Sequence, residues 1–133
     1  MELIPSPTLQ CQKRLSLSAH SLHGGAALAD WVGSTASSDA GWLRTAARVK
    51  VATNKLHWDG PVGAFRNNLC PTPRAGLHPQ DDNSLAVLFE IIGPSSSRAQ
   101  DISSPLMQNW TPIGAASPKL LGEISPFISS FEI

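Results

Sequence analysis

One stretch constrains the fold of this chain more than any other. Ser84–Ile92, Ser-Leu-Ala-Val-Leu-Phe-Glu-Ile-Ile, is its one long apolar run, bracketed by Pro79-Gln80-Asp81-Asp82-Asn83 before and Gly93-Pro94 after. Elsewhere, outside residues 42–59, Pro, Gly or Ser recurs every few residues, so a core is expected to form around this segment. As a strand it places Leu85, Val87, Phe89 and Ile91 on one face. As a helix it offers Leu85, Leu88, Phe89 and Ile92 as a stripe. Its brevity, its β-branched and aromatic residues and the Gly-Pro stop favour a strand, although the upstream Asp-Asn-Ser cluster would cap a helix equally well. A strand is the expectation, with a helix as the alternative. Left unpaired, the run is an aggregation hazard guarded only by Glu90.

The punctuation around the run sets the expected fold class. At 133 residues there is room for one domain. Ser, Pro and Gly number 17, 11 and 10, together 38 residues, which is the range of irregular chain. Leu, Ile, Val and Phe number 32, just above the level of disorder. The expectation is a largely irregular or disordered small chain with a few short α and β segments, weakly α+β at most. Residues 1–14 read as a flexible arm, 42–92 as the most ordered part, and 93–133 as a Pro/Ser-rich flexible tail. Leu15–Ala19 alternates as a short half-buried strand does, Gly24-Gly25 breaks it, and Ala26–Val32 suits a brief helix ending before Gly33. Four prolines make 60–80 irregular.

Charge and cysteine content narrow the function classes. The formal net charge is zero, which gives no bulk electrostatic case for nucleic acid or an anionic membrane. Residues 1–80 carry eight Lys/Arg against four Asp/Glu, and residues 81–133 carry two against six, so the halves stand at +4 and −4. Cys11 and Cys70 are too few for a disulfide scaffold. No signal-peptide pattern and no transmembrane-length apolar run occur, so a cytoplasmic or nuclear protein is expected.

The best-patterned segment is Trp42–Leu56. Trp42, Ala46, Val49, Thr53 and Leu56 share one helical stripe, with Arg44, Arg48 and Lys55 opposite. That is a basic amphipathic helix, suited to an anionic membrane surface, nucleic acid or an acidic partner. Two plainer readings stand beside it: a surface helix packing Trp42 against Leu85–Ile92, or a strand, since Arg48-Val49-Lys50-Val51 alternates. Cys11 with His20 and His23, and His57 with Cys70 and His78, lack the tight spacing of a zinc site, so no metal and no cofactor is expected. His23-Gly24-Gly25 has no Gly-x-Ser-x-Gly elbow to serve, and phosphate-loop, His-Glu-x-x-His and dinucleotide patterns are missing. The chain is not expected to be an enzyme.

Short linear motifs need accessibility and not a fold. Ser6, Thr72, Ser104, Thr111, Ser117 and Ser125 each precede a proline, and Ser16 follows Lys13-Arg14-Leu15, so all seven are candidate phosphosites. With this much Ser and Pro, several such pairs arise by chance. Phe131-Glu132-Ile133 has the apolar-x-apolar-carboxylate pattern of one class of PDZ-domain ligand, which adds a strand to a sheet edge. The leading expectation is therefore a non-enzymatic interaction or regulatory protein acting through short motifs, with a PDZ-type domain as the candidate partner. An incidental or recently arisen reading frame without evolved activity is the alternative. Membrane-surface or nucleic-acid binding through residues 42–56 comes third.

Overall fold

The computed structural model describes residues 12–33, 38–69, 76–120 and 122–130. These form five helices and two small hairpins, in the order α1 (Gln12–Trp31), α2 (Ser38–Leu56), β1 (Trp58–Asp59), β2 (Ala64–Phe65), α3 (Gln80–Leu88), α4 (Ser97–Met107), β3 (Trp110–Thr111), β4 (Gly114–Ala115) and α5 (Pro126–Ser129). The chain is a folded α+β domain, which overturns the expectation of a largely irregular or disordered one. Three of these helices lie where punctuation argued against length, and each is held by tertiary contacts that propensity does not encode.

Helix α1 runs through both Gly24 and Gly25, at an intrinsic cost of about 1 kcal/mol each relative to Ala. Its pairing with α2 is the most extensive between any two elements. The seam is built of small side chains: Ala19 and Ala26 of α1 and Ala46 of α2 are buried. Ala19, Leu22, Ala26 and Ala29 follow helical spacing, so Leu15–Ala19 is the opening of a helix and not a strand. Gly33, at φ 67°, terminates it.

The apolar run is a helix for its first half. Helix α3 starts after Pro79, carries Asp81 and Asp82 against the positive end of its dipole, and ends at Phe89. Glu90 then takes a left-handed conformation (φ 54°), which turns the chain so that Ile91 and Ile92 are both buried. The strand expectation fails although no side chain caps the helix: Pro79 stands at its N-cap, and Asp81, Asp82 and Asn83 lie within its first turn. Asn83, fully buried, donates to the Pro79 carbonyl at 2.8 Å and also serves β2, so the helix start and the first hairpin are fixed by one side chain.

That hairpin pairs Trp58 with Phe65 and Asp59 with Ala64. Phe65, with no exposed surface, meets Trp58 edge-on at 5.2 Å. Around Phe65 the core comprises Ala19, Ala86, Ile91, Ile92, Ile102 and Leu106, with Val49 and Val87 packed against it. Burying a side chain such as Phe65 is worth about 2–3 kcal/mol. Gly63 occupies the hairpin turn at φ 76°, where an added Cβ would stand 3.2 Å from Asp101 Cβ, so the turn needs both the freedom and the size of glycine.

Residues 97–129, expected within a flexible tail, carry α4, β3, β4 and α5. Ser96 caps α4 by accepting from Ala99 N at 3.2 Å, and Ile102 and Leu106 face the core. Pro105 sits in the last turn, where the loss of one backbone bond is tolerated. Arg98 ties α4 back to α2, donating to Asn54 Oδ1 at 3.1 Å and lying over Trp58 at 4.8 Å. The second hairpin is anchored by α5, whose Ser129 Oγ accepts from Ala115 N at 3.2 Å. Lys119 Nζ reaches Asp81 Oδ1 at 3.4 Å, joining this hairpin to the start of α3.

Candidate functional site

Helix α2 presents two unlike faces, and the outer one is the strongest candidate for a binding surface. The inner stripe is buried only in its middle. Ala46 and Thr53 are buried and Val49 half-buried, while Trp42 and Leu56 at its two ends remain 38% and 50% exposed. Trp42 lies against Gly25 of α1, where an added Cβ would stand 3.5 Å from its ring. On the outer face Arg44, Arg48, Val51 and Lys55 follow one another at steps of three and four residues, with Ala47 beside Arg48, all exposed. Arg48, Val51, Ala52, Lys55 and Leu56 border an open depression of about 560 Å³. No hydrogen bond or ion pair joins the side chains of Arg44, Arg48 or Lys55 to any described residue. Three cations thus flank an aliphatic strip. Such a strip can desolvate against aliphatic side chains while its flanks meet carboxylates or phosphates.

A second cluster lies where α2 passes into the first hairpin. Asp59 Oδ2 accepts from Arg66 Nε at 2.9 Å and pairs with His78 Nε2 at 3.0 Å. The Arg66 hydrogen bond is the largest influence on the Asp59 carboxyl and, with His78, holds it below the usual carboxylate range against the opposing effect of burial. Asp59 in turn raises Arg66, which stays charged. One turn back, His57 is fully buried. Its Nδ1 donates to the Arg66 carbonyl at 3.3 Å and its Nε2 has no partner. Burial depresses the His57 pKa, and the Arg66 carbonyl bond offsets this in part. The buried ring is accordingly neutral, with its lone pair directed into protein. With its carboxylate committed to two partners and its imidazole enclosed, this cluster ties the hairpin together.

An apolar groove of about 420 Å³ runs between α3 and α4, bordered by Val87, Leu88, Ile102, Leu106, Met107 and Trp110. No group of three or more metal-binding side chains comes together among the described residues. His78, considered above with His57 and Cys70, is paired with Asp59 instead.

The residues singled out from the sequence are scattered. Arg44, Arg48 and Lys55 share the outer face of α2, and Trp42 sits at the seam with α1. Ser16 is buried in α1, out of reach of a kinase while the helix is packed. Ser104 is exposed in α4. Thr111, Ser117 and Ser125 are half-buried, with Thr111 Oγ1 donating to the Gly114 carbonyl at 2.7 Å and Ser117 Oγ accepting from Lys119 N at 3.3 Å. Ser6, Thr72, Phe131, Glu132 and Ile133 lie outside the described residues. The helical wheel of α2 places the cations, but Ala47 and Val51 between them are too few and too small to register as an apolar stripe of their own. The Asp59–His78 pair is separated by 19 positions and leaves no spacing signal.

No helix among the described residues is long and apolar enough to cross a membrane. Comparison with protein-family models gives no match to this chain, and comparison with curated proteins gives none either.

Proposed function

We propose that this chain is a non-enzymatic interaction module that docks an acidic protein segment on the outer face of α2. The observation that supports it is the line Arg44, Ala47, Arg48, Val51, Lys55, in which cations without partners among the described residues flank exposed aliphatic carbon. A partner of matching chemistry carries carboxylates on either side of an aliphatic ridge, as one face of an acidic amphipathic helix does. Charge attraction speeds the encounter, and burial of Val51 and of the arginine stems supplies affinity. An anionic bilayer is the poorer fit. The opposite face of α2 is packed on α1, so the strip between the cations offers Ala47, Val51 and, at its end, Leu56, a thin apolar face beside the Trp, Phe and Leu that interfacial helices rely on.

The test uses the full chain with two probes. One is a fluorescent amphipathic peptide with Glu flanking a Leu ridge, and the other is vesicles of phosphatidylcholine with phosphatidylserine. The expected result is saturable peptide binding that weakens with added salt and is abolished by the combined substitution R44E, R48E and K55E. Binding that ignores the triple substitution, or its absence altogether, overturns the proposal. Vesicle binding in preference to the peptide would transfer the same face to a membrane surface.

A further inference from the structure

A second cavity, of about 350 Å³, opens between α1, α2 and the turn after α3. Its floor is apolar, formed by Ala19 and Ala46 of the helix seam and by Ile91, all buried. One wall is an aromatic stack, His20 lying nearly parallel to Phe89 with ring centres 4.1 Å apart. The remaining polar groups at its edge are His23 on α1, Lys50 on α2 and Glu90 on the turn. Their side chains form no hydrogen bond or ion pair with any described residue, so an ammonium and a carboxylate border the same opening without being spent on the fold. Glu90 is the only non-glycine residue with positive φ among those described. It stands at the position after the helix end that glycine usually fills. A carboxylate therefore stands where the backbone alone would favour a residue with no side chain.

We propose that this cavity binds a zwitterionic small molecule of amino-acid size with an aliphatic body. Its ammonium meets Glu90, its carboxylate meets Lys50 with His23 beside it, and its hydrocarbon rests on Ala19, Ala46 and Ile91. The volume falls within the range of small-molecule pockets. The opposite charges at the edge also distinguish the site from a simple anion pocket, since Glu90 would repel a ligand bearing only a carboxylate. This site is separate from the outer face of α2, so the two proposals stand or fall independently.

The decisive experiment titrates the full chain with L-leucine, following the ring resonances of His20 and His23 and the methyl groups of Ile91 by NMR. Isocaproate, which lacks the ammonium, and isoamylamine, which lacks the carboxylate, serve as half-ligands. The expected result is a saturable, localised response to leucine, with each half-ligand binding roughly tenfold more weakly or worse. E90Q should weaken leucine to about the level of isocaproate while leaving isocaproate no weaker. K50M should do the same with respect to isoamylamine. A response to leucine that never saturates, isocaproate binding as tightly as leucine, or E90Q and K50M without effect would each overturn the proposal. Should either variant lose its helical circular dichroism, the three ligands on the unaltered chain decide the matter by themselves.

Discussion

Asn83 treats the backbone of Phe65 as a neighbouring strand would: its Oδ1 accepts from Phe65 N at 2.7 Å and its Nδ2 donates to Phe65 O at 3.1 Å. Both groups of the most deeply buried aromatic residue are thereby satisfied on the side of β2 facing away from β1. Replacing Asn83 with Leu strands both, and each buried unpaired backbone group costs on the order of 1–3 kcal/mol. Asn83→Leu is expected to destabilise the domain by roughly 2–4 kcal/mol, read from urea denaturation midpoints. A change smaller than that of a typical surface substitution would mean that water or another group replaces the clamp.

Acid should weaken the fold in two steps. His57 is neutral when buried, so its folded pKa lies below its ordinary 6.5. Below about pH 6.5 the unfolded chain takes up a proton that the folded one refuses, and stability declines until the folded pKa is reached. Asp59 acts lower on the scale. Held down by Arg66 first and His78 next, it contributes stability above its ordinary 3.8 that is lost as pH falls through its depressed folded value. Denaturation midpoints measured at a series of pH values should show both declines, and His57→Gln should remove the upper one. A flat midpoint between about pH 7 and pH 5 would show that the ring is not buried neutral.

Glu90→Gly should stabilise the domain by about 1 kcal/mol, because glycine occupies the left-handed region without the Cβ penalty. Thermal unfolding of the two proteins checks this directly. Unchanged or lower stability would show that the Glu90 carboxylate makes a favourable contribution of its own in the folded chain.

Gly114→Ala should do the opposite. At φ 134° the position is closed to side chains, and an added Cβ would lie 2.9 Å from Ile124 Cγ2. A loss of about 1–3 kcal/mol is expected, concentrated in the second hairpin. Shortening Ile124 to Ala in the same protein should restore only the part that comes from crowding, so the double substitution separates contact from backbone strain.

How much of this was legible in the sequence depended on which side chains carry the pattern. Helix α2 was readable because Trp42, Val49 and Leu56 mark a stripe with cations opposite. Helix α1 was not, because the buried positions described in it are Ser16, Ala19 and Ala26, residues too small or too polar to register as a hydrophobic period. The split of the apolar run at Glu90 was hidden for another reason. A left-handed glutamate carries no turn signal, whereas the Gly93-Pro94 pair three residues later carries a strong one. Composition misled most. Scattered prolines in 94–126 fall at helix edges and hairpin corners, where they cost little, and their number alone conceals that placement.

The Asn83 clamp also orders events in time. Phe65 is synthesised 18 residues before the side chain that completes its bonding. At ordinary elongation rates of roughly 5–20 residues per second, the outer edge of β2 waits about one to four seconds for its partner. Until the Asn83 amide packs against it, β2 offers an open strand edge next to the Phe65 ring, a template for pairing with another chain.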